Sequence, residues 1–137
     1  MDQQTPTVQA ILLVEDQPLI RMSVVDFLVD QGYRVEEAGT ASFAIERIHT
    51  LGGQLGALIL DLGLPDRPGA MVAREIRVAY PDLPIIVTSG HSVAEMRRHF
   101  ESPADMAFLT KPYDLNELAR SIEALSRGRA GMQQSGN

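Results

Sequence analysis

The chain contains no cysteine, and it has no long hydrophobic run among its 137 residues. Without cysteine, neither a disulfide nor a thiolate metal site can support the fold, and cysteine-based catalysis is excluded. No apolar run approaches the length of a membrane span, and the polar N-terminus lacks the basic region of a signal peptide. We therefore expect a cytoplasmic protein that has no contact with membranes.

Concentrated positive charge is also missing. The formal net charge is -6, and the basic residues are dispersed along the chain. Proteins that bind nucleic acids directly usually collect positive charge on one face to neutralise phosphates, so no direct nucleic-acid binding is expected. All of the 12 basic residues except Lys111 are arginines, which leaves a single lysine in the chain.

The hydrophobic content of 45% is enough for an ordinary buried core. The length suits one domain, which we place at residues 8–127. Residues 1–7 and 128–137 are small, polar and without periodicity, so we expect them to be flexible termini.

Short apolar segments along the chain have the composition of β-strands. They are Gln9–Val14, Tyr33–Ala38, Ala57–Leu60, Pro84–Ser89 and Ala107–Thr110. Four are apolar on both faces, as expected for strands buried between helices in a parallel sheet. The second segment contains Arg34 and Glu36, which suit a strand at the edge of the sheet.

Helical patterns separate these strands. They cover Pro18–Gln31, Thr40–Thr50, Gly69–Tyr80, Ser92–Phe100 and Asp114–Leu125, with capping residues or proline near their first turns. Strict alternation of strand and helix predicts an α/β fold, a doubly wound five-stranded parallel sheet with helices on both faces. Such folds bind ligands at the carboxyl ends of their strands.

Polar residues follow four of the predicted strands. Glu15 and Asp16 follow the first, Asp61 follows the third, Ser89 closes the fourth, and Lys111 follows the fifth. In the flavodoxin-like order 2-1-3-4-5 the first and third strands are neighbours, so the carboxylates share one crevice. Like charges at close range raise pKa values or require a cation, and an all-oxygen ligand set suits a hard ion such as Mg²⁺. A carboxylate nucleophile, a metal, a lysine and a hydroxyl together indicate phosphoryl transfer to a carboxylate.

Each of these residues alone has an ordinary structural explanation. Asp61 alone would suit a loop or a helix cap, and Glu15–Asp16 would suit a helix N-terminus, where carboxylates are stabilised by the dipole. Lys111 before a proline would suit a solvated turn. Four independent explanations at four strand ends are improbable, so we favour a shared site.

The segments ILLVEDQP, LILDLGLPDRPG, IIVTSG and FLTKP resemble, in order and spacing, the motifs of response-regulator receiver domains. The resemblance covers about Ala10 to Leu125 and fits a single-domain member. It implies a two-component phosphorelay response regulator that accepts a phosphoryl group from a phosphohistidine donor onto Asp61. The surface of the domain would then change for protein partners. It implies no enzyme activity beyond catalysis of its own phosphorylation and dephosphorylation.

The resemblance also implies a metal site for Mg²⁺ or Mn²⁺. Its ligands would be Glu15, often through water, Asp16, Asp61 and the backbone carbonyl of Gly63. The side chains of Lys111 and Ser89 would contact the phosphoryl oxygens.

Other positions would control switching and phosphate lifetime. In receivers the hydroxyl at the Ser89 position moves toward the phosphoryl group, and the aromatic ring at the Phe108 position turns inward. Gly63 and His91 occupy the positions that tune the lifetime of the aspartyl phosphate. The Lys111–Pro112 peptide bond is expected to be cis.

The implied partners are a histidine kinase or a histidine phosphotransfer protein, which would dock on the first helix, and a downstream protein target. The resemblance also allows homodimerisation through the fourth helix, fifth strand and fifth helix. Two other functions remain open. One is a metal-dependent phosphatase, although such enzymes generally need an acid where Gly63 stands, and the other is a docking module that works without phosphorylation. A receiver cut from a hybrid kinase also remains open.

Overall fold

The structure is a computed structural model that describes residues 9–100 and 105–135, the last nine of these by their backbone only. Strands and helices alternate along the chain. The strands are β1 (Ala10–Val14), β2 (Arg34–Ala38), β3 (Leu55–Asp61), β4 (Ile85–Ser89) and β5 (Met106–Thr110). The helices are α1 (Pro18–Asp30), α2 (Ala41–Leu51), α3 (Gly69–Ala79), α4 (Val93–Arg97) and α5 (Leu115–Ser135), with a short 3-10 turn at Gly52–Gln54.

The strands form one parallel sheet in the order β2-β1-β3-β4-β5, which confirms the predicted topology and the edge position of β2. Val14 of β1 pairs with Leu60 of β3. The residues that follow this pair, Glu15 and Asp61, therefore come out of the sheet side by side.

Two buried clusters cover the two faces of the sheet. Because successive strand residues point to opposite faces, Leu12 and Val14 join the cluster under α2, α3 and α4. Ile11 and Leu13 join the cluster under α1 and α5. Apart from the charged residues of the edge strand β2, the charged groups of the sheet therefore lie at the strand ends.

Local capping signals explain where several helices begin. Pro18 occupies the first turn of α1, and the Thr40 side chain accepts a hydrogen bond from the N–H of Phe43 at the start of α2. A reciprocal capping box between Ser92 and Glu95 starts α4. The Asp114 carboxylate accepts from the N–H of Asn116 as α5 begins, as its capping pattern predicts.

Three predicted boundaries are wrong. β3 begins at Leu55, which is buried and pairs with Ala10 although glycine-rich sequence surrounds it. α4 ends at Arg97, short of the predicted Phe100.

The third wrong boundary is the end of α5, which continues to Ser135 instead of ending at Leu125. Gly128 and Gly131 lie in this extension and have poor helix propensity, so no local signal in the sequence predicts it. The backbone is helical over most of the segment predicted to be loose from Gly128, while residues 1–7 lie outside the described residues. No helix in the described part of the chain is long and apolar enough to cross a membrane.

Candidate functional site

Three carboxylates meet at the carboxyl end of the sheet. Oxygens of Glu15, Asp16 and Asp61 all lie within 4.8 Å of one another. Glu15 is 2% exposed and Asp61 is 5% exposed, whereas Asp16 is half-buried. Buried carboxylates at this separation repel one another unless a cation is present, so the site is built to attract positive charge.

Lys111 supplies a positive charge at this position. Its Nζ lies 2.9 Å from Oε1 of Glu15 and 3.0 Å from Oδ2 of Asp61. Burial lowers the pKa of Lys111, but the hydrogen bonds and charges of Glu15 and Asp61 outweigh burial and raise the pKa above its ordinary value. The ammonium group is therefore charged at neutral pH. The Lys111–Pro112 peptide bond is cis, as predicted.

Backbone groups orient the two buried carboxylates. The N–H of Gln17 donates to Oε2 of Glu15 over 3.1 Å, and the N–H of Gly63 donates to Oδ1 of Asp61 over 3.2 Å. The guanidinium of Arg21 donates to the Glu15 carbonyl over 2.7 Å and to Glu37 over 3.2 Å. This role of Arg21 was not predicted, because nothing in the pattern of α1 shows that its side chain reaches back to the preceding loop.

Ser89 lies at the same end of the sheet. Its side chain is 5% exposed, and its Oγ accepts a hydrogen bond from the N–H of His91 over 3.1 Å. The N–H of Lys111 donates to the Ser89 carbonyl over 2.7 Å, which ties the ends of β4 and β5 together. The His91 side chain is exposed, with Nδ1 3.7 Å from Glu95.

Phe108 is buried on β5. Its ring centroid lies 5.8 Å from that of Phe100, and the guanidinium carbon of Arg97 lies 4.9 Å from the Phe108 centroid. A guanidinium over an aromatic face is an attractive cation–π arrangement. The aromatic ring at this position thus points inward, beneath an arginine of α4 that sequence analysis did not connect to it.

Tyr113 adds a polar side chain beside the site that sequence analysis did not identify. Burial, together with the negative charge of Glu15, raises the pKa of Tyr113 to about 12. The tyrosine lines a groove between α1 and the start of α5, together with Leu19 and Ile20. Leu19 is 79% exposed, so this groove is apolar and open to solvent.

The chain matches the family described as the response regulator receiver domain over residues 11–123. It is 34% identical to the sensor kinase CckA of Brucella abortus over 84% of the chain, but it spans only 12% of that protein. A crystal structure of a response regulator receiver protein from Sinorhizobium medicae superposes with a TM-score of 0.79 at 27% identity, covering 89% of this chain and 97% of that one.

A further solved structure is the response regulator TrrA of Thermotoga maritima in complex with Mg²⁺–BeF. It superposes with a TM-score of 0.73 at 29% identity, covering 85% of this chain and 98% of that one. A five-stranded parallel sheet with an acidic crevice at its carboxyl end defines the class of protein. The chain belongs to the response regulator receiver domain family of two-component signalling.

Proposed function

We propose that this chain is a phosphorylation switch in which Asp61 accepts a phosphoryl group from a phosphohistidine. The observation that carries the proposal is the position of the chain's only lysine, whose ammonium contacts both Glu15 and Asp61. Burying two carboxylates and a charged amine from three strand ends does not contribute to a hydrophobic core. They suit a reaction in which negative charge enters the crevice.

The donor set fits Mg²⁺ or Mn²⁺. Carboxylate oxygens of Glu15, Asp16 and Asp61 are close enough to share one hard cation, and the Gly63 carbonyl is the proposed fourth protein ligand. The ion, when bound, would neutralise charge on the phosphoryl oxygens.

The chain's own groups would then carry the transfer. An Asp61 oxygen attacks phosphorus, a P–O bond forms, and the P–N bond to the donor imidazole breaks with its electron pair going to nitrogen. The Lys111 ammonium and the Ser89 hydroxyl would meet the new phosphoryl oxygens. Reversal or hydrolysis at the same phosphorus would end the signal, so the chain would catalyse only its own phosphorylation and dephosphorylation.

Switching would start from the Ser89 hydroxyl, which accepts a hydrogen bond from the N–H of His91. We propose that it turns away from this N–H and donates a hydrogen bond to a phosphoryl oxygen. Phe108 already points inward in this structure. Phosphorylation would therefore change the contact of its ring with Arg97 on α4. Gly63 and His91 would set the phosphate lifetime. Gly63 leaves the approach to Asp61 open, whereas the exposed His91 stands at the edge of the site.

We propose that the donor, a histidine kinase or a histidine phosphotransfer protein, docks on α1. The exposed Leu19 and Met22 and the neighbouring groove lined by Tyr113 supply an apolar surface beside Lys111. Output would pass to a downstream protein target through α4, β5 and α5, where homodimerisation is a further proposal.

The phosphatase alternative is weakened by the loop after Asp61. The position two residues later is Gly63, and the next carboxylate, Asp66, accepts hydrogen bonds from Ala41 and Ser42 of α2. A carboxylate committed to those N–H groups is badly placed to protonate a leaving group at Asp61.

Phosphorylation of intact protein with Mg²⁺ and acetyl phosphate, measured by mass spectrometry, tests the proposal. Wild type is expected to gain one phosphoryl group, and Asp61→Asn none. Asp82→Asn is the matched control, because Asp82 is exposed at the other end of the sheet, and it is expected to behave as wild type. An unmodified wild type, or equal modification of Asp61→Asn, would contradict the proposal.

A further inference from the structure

The loop between β3 and α3 runs from Leu62 to Pro68 and contains the proposed Gly63 ligand. Its base is closed where the N–H of Gly69 donates to the Leu62 carbonyl over 3.1 Å. A Cβ on Gly69 would lie 2.5 Å from the Leu62 Cα and 2.7 Å from the Asp61 carbonyl oxygen. Only glycine allows α3 to start this close to the phosphoacceptor, so the base of the loop is fixed.

The tip of the loop is attached to a different part of the fold. The Asp66 carboxylate accepts the N–H of Ala41 over 2.8 Å and the N–H of Ser42 over 3.0 Å. These N–H groups belong to the first turn of α2, where backbone donors have no partner within the helix. The hydrogen bonds lower the pKa of Asp66, so the carboxylate is ionised at neutral pH.

The segment between these two attachments has little freedom. Pro65 and Pro68 have fixed φ angles, and Leu64 packs in the core cluster beneath α2 and α3. Gly63 has neither a proline ring nor a core contact, and it is exposed, as Pro65, Asp66 and Pro68 also are. Its backbone would be the least constrained part of the loop if the tip were released.

We infer that Asp66 is a positioning residue for the metal site. By attaching the loop tip to α2, it restricts where the Gly63 carbonyl lies relative to the Asp61 carboxylate. The inference rests on the proposed function, because it assigns Gly63 as a ligand. Residues that orient ligands without touching the metal contribute substantially to metal affinity.

Asp66 is one of two side chains that cap the start of α2, and the two come from different loops. The start of α2 already has its own cap in Thr40, whose side chain accepts the N–H of Phe43 over 3.2 Å. Thr40 contacts the same helix terminus but belongs to the loop after β2, not to the loop that contains Gly63. Comparing variants of Thr40 and Asp66 therefore distinguishes stabilisation of the α2 terminus from positioning of the loop that contains Gly63.

The test compares Asp66→Ala with Thr40→Ala by calorimetric titration of the 137-residue chain with Mg²⁺, alongside chemical denaturation. We expect Asp66→Ala to weaken Mg²⁺ binding about tenfold, in the range seen for residues that orient metal ligands. Thr40→Ala is expected to lower stability while its Mg²⁺ affinity stays within about twofold of wild type. Asp66→Asn, which keeps one carbonyl acceptor, is expected to fall between wild type and Asp66→Ala, and it replaces Asp66→Ala if that variant does not fold.

Equal losses of Mg²⁺ affinity in the Asp66 and Thr40 variants would overturn the positioning role, as would wild-type affinity in Asp66→Ala. Both results require that wild type binds Mg²⁺. A wild-type chain that binds no Mg²⁺ would overturn the proposed function, and this inference with it. The two failures are therefore distinguishable.

Discussion

Each end of the sheet contains a partly buried basic side chain, but the two side chains have different kinds of hydrogen-bond partner. At the carboxyl end, Lys111 contacts the carboxylates of Glu15 and Asp61. At the amino end, Arg77 donates to four backbone carbonyls. They belong to Leu83 at 2.7 Å, Pro81 at 2.9 Å, and Tyr80 and Asp105 at 3.2 Å.

The partners decide what each cation can do. Burial lowers the pKa of Arg77, and the charges of Asp105 and Asp82 oppose this only in part. At Lys111 the carboxylates outweigh burial, so its pKa is raised. Carbonyl dipoles are permanent parts of the backbone, so the hydrogen bonds of Arg77 stabilise the fold. Carboxylates can exchange one cation for another, so the carboxyl end suits the proposed metal site and the proposed reaction.

The largest effect is expected for Lys111→Ala. Loss of the charge that is proposed to contact the phosphoryl group should slow phosphorylation about a hundredfold. Glu15 and Asp61 would also lose their shared cation, so the metal-free protein should be less stable and Mg²⁺ should restore much of the loss. Phosphorylation kinetics and denaturation with and without Mg²⁺ measure both effects. If Mg²⁺ does not change the stability of Lys111→Ala, a bound metal ion cannot replace the charge of the Lys111 ammonium, and the prediction is wrong.

Arg77→Met should give the opposite pattern at the amino end. The variant keeps the aliphatic volume but loses hydrogen bonds to four carbonyls, so we expect the free energy of unfolding to fall by about 2 kcal/mol. Mg²⁺ affinity and phosphorylation should be unchanged. Arg98→Met, at an exposed arginine of the α4 region, is the matched control and should change stability by less than about 0.5 kcal/mol. A loss of Mg²⁺ affinity in Arg77→Met would show that the two ends are coupled.

A smaller effect is expected from Tyr113, beside the carboxyl end. Burial and Glu15 raise its pKa to about 12, so the fold favours the neutral phenol. That contribution to stability is complete below about pH 10 and is lost as the pH rises from about 10 to 12. Tyrosinate absorbance, recorded immediately after a pH jump, should lose its last step near pH 12 in Tyr113→Phe. A last step unchanged by the substitution would assign it to another tyrosine.

The smallest effect is expected in acid for Asp66. Hydrogen bonds from Ala41, and next from Ser42, lower its pKa, so its stabilising contribution is present above the unfolded pKa of about 3.9 and is lost as the pH falls through the folded value. Asp66→Asn should therefore differ from wild type in unfolding free energy near neutral pH and approach it in acid. Denaturation across this pH range measures the difference. A constant gap would exclude ionisation of Asp66 as its source.

Much of the carboxyl end was predictable from local pattern. Apolar strands followed by Glu15, Asp61 and Lys111 can be read along the chain, because parallel strands bring their carboxyl ends to one edge. Arg77 was not predictable. Its four acceptors include Asp105, 28 residues away, and no spacing rule relates an arginine of α3 to a carbonyl before β5.

Periodicity and strand-end chemistry in the sequence were sufficient for the α/β class and for the polar residues at the strand ends, since these depend on short-range patterns repeated along the chain. The strand order was taken from flavodoxin-like folds. Only the tertiary structure decided which distant groups each side chain contacts. The ammonium of Lys111 contacts two carboxylates. Asp66 accepts hydrogen bonds from Ala41 and Ser42 at the start of α2, which lie 25 and 24 residues earlier in the chain. Such hydrogen bonds depend on distances of about 3 Å, which exist only after the elements have packed.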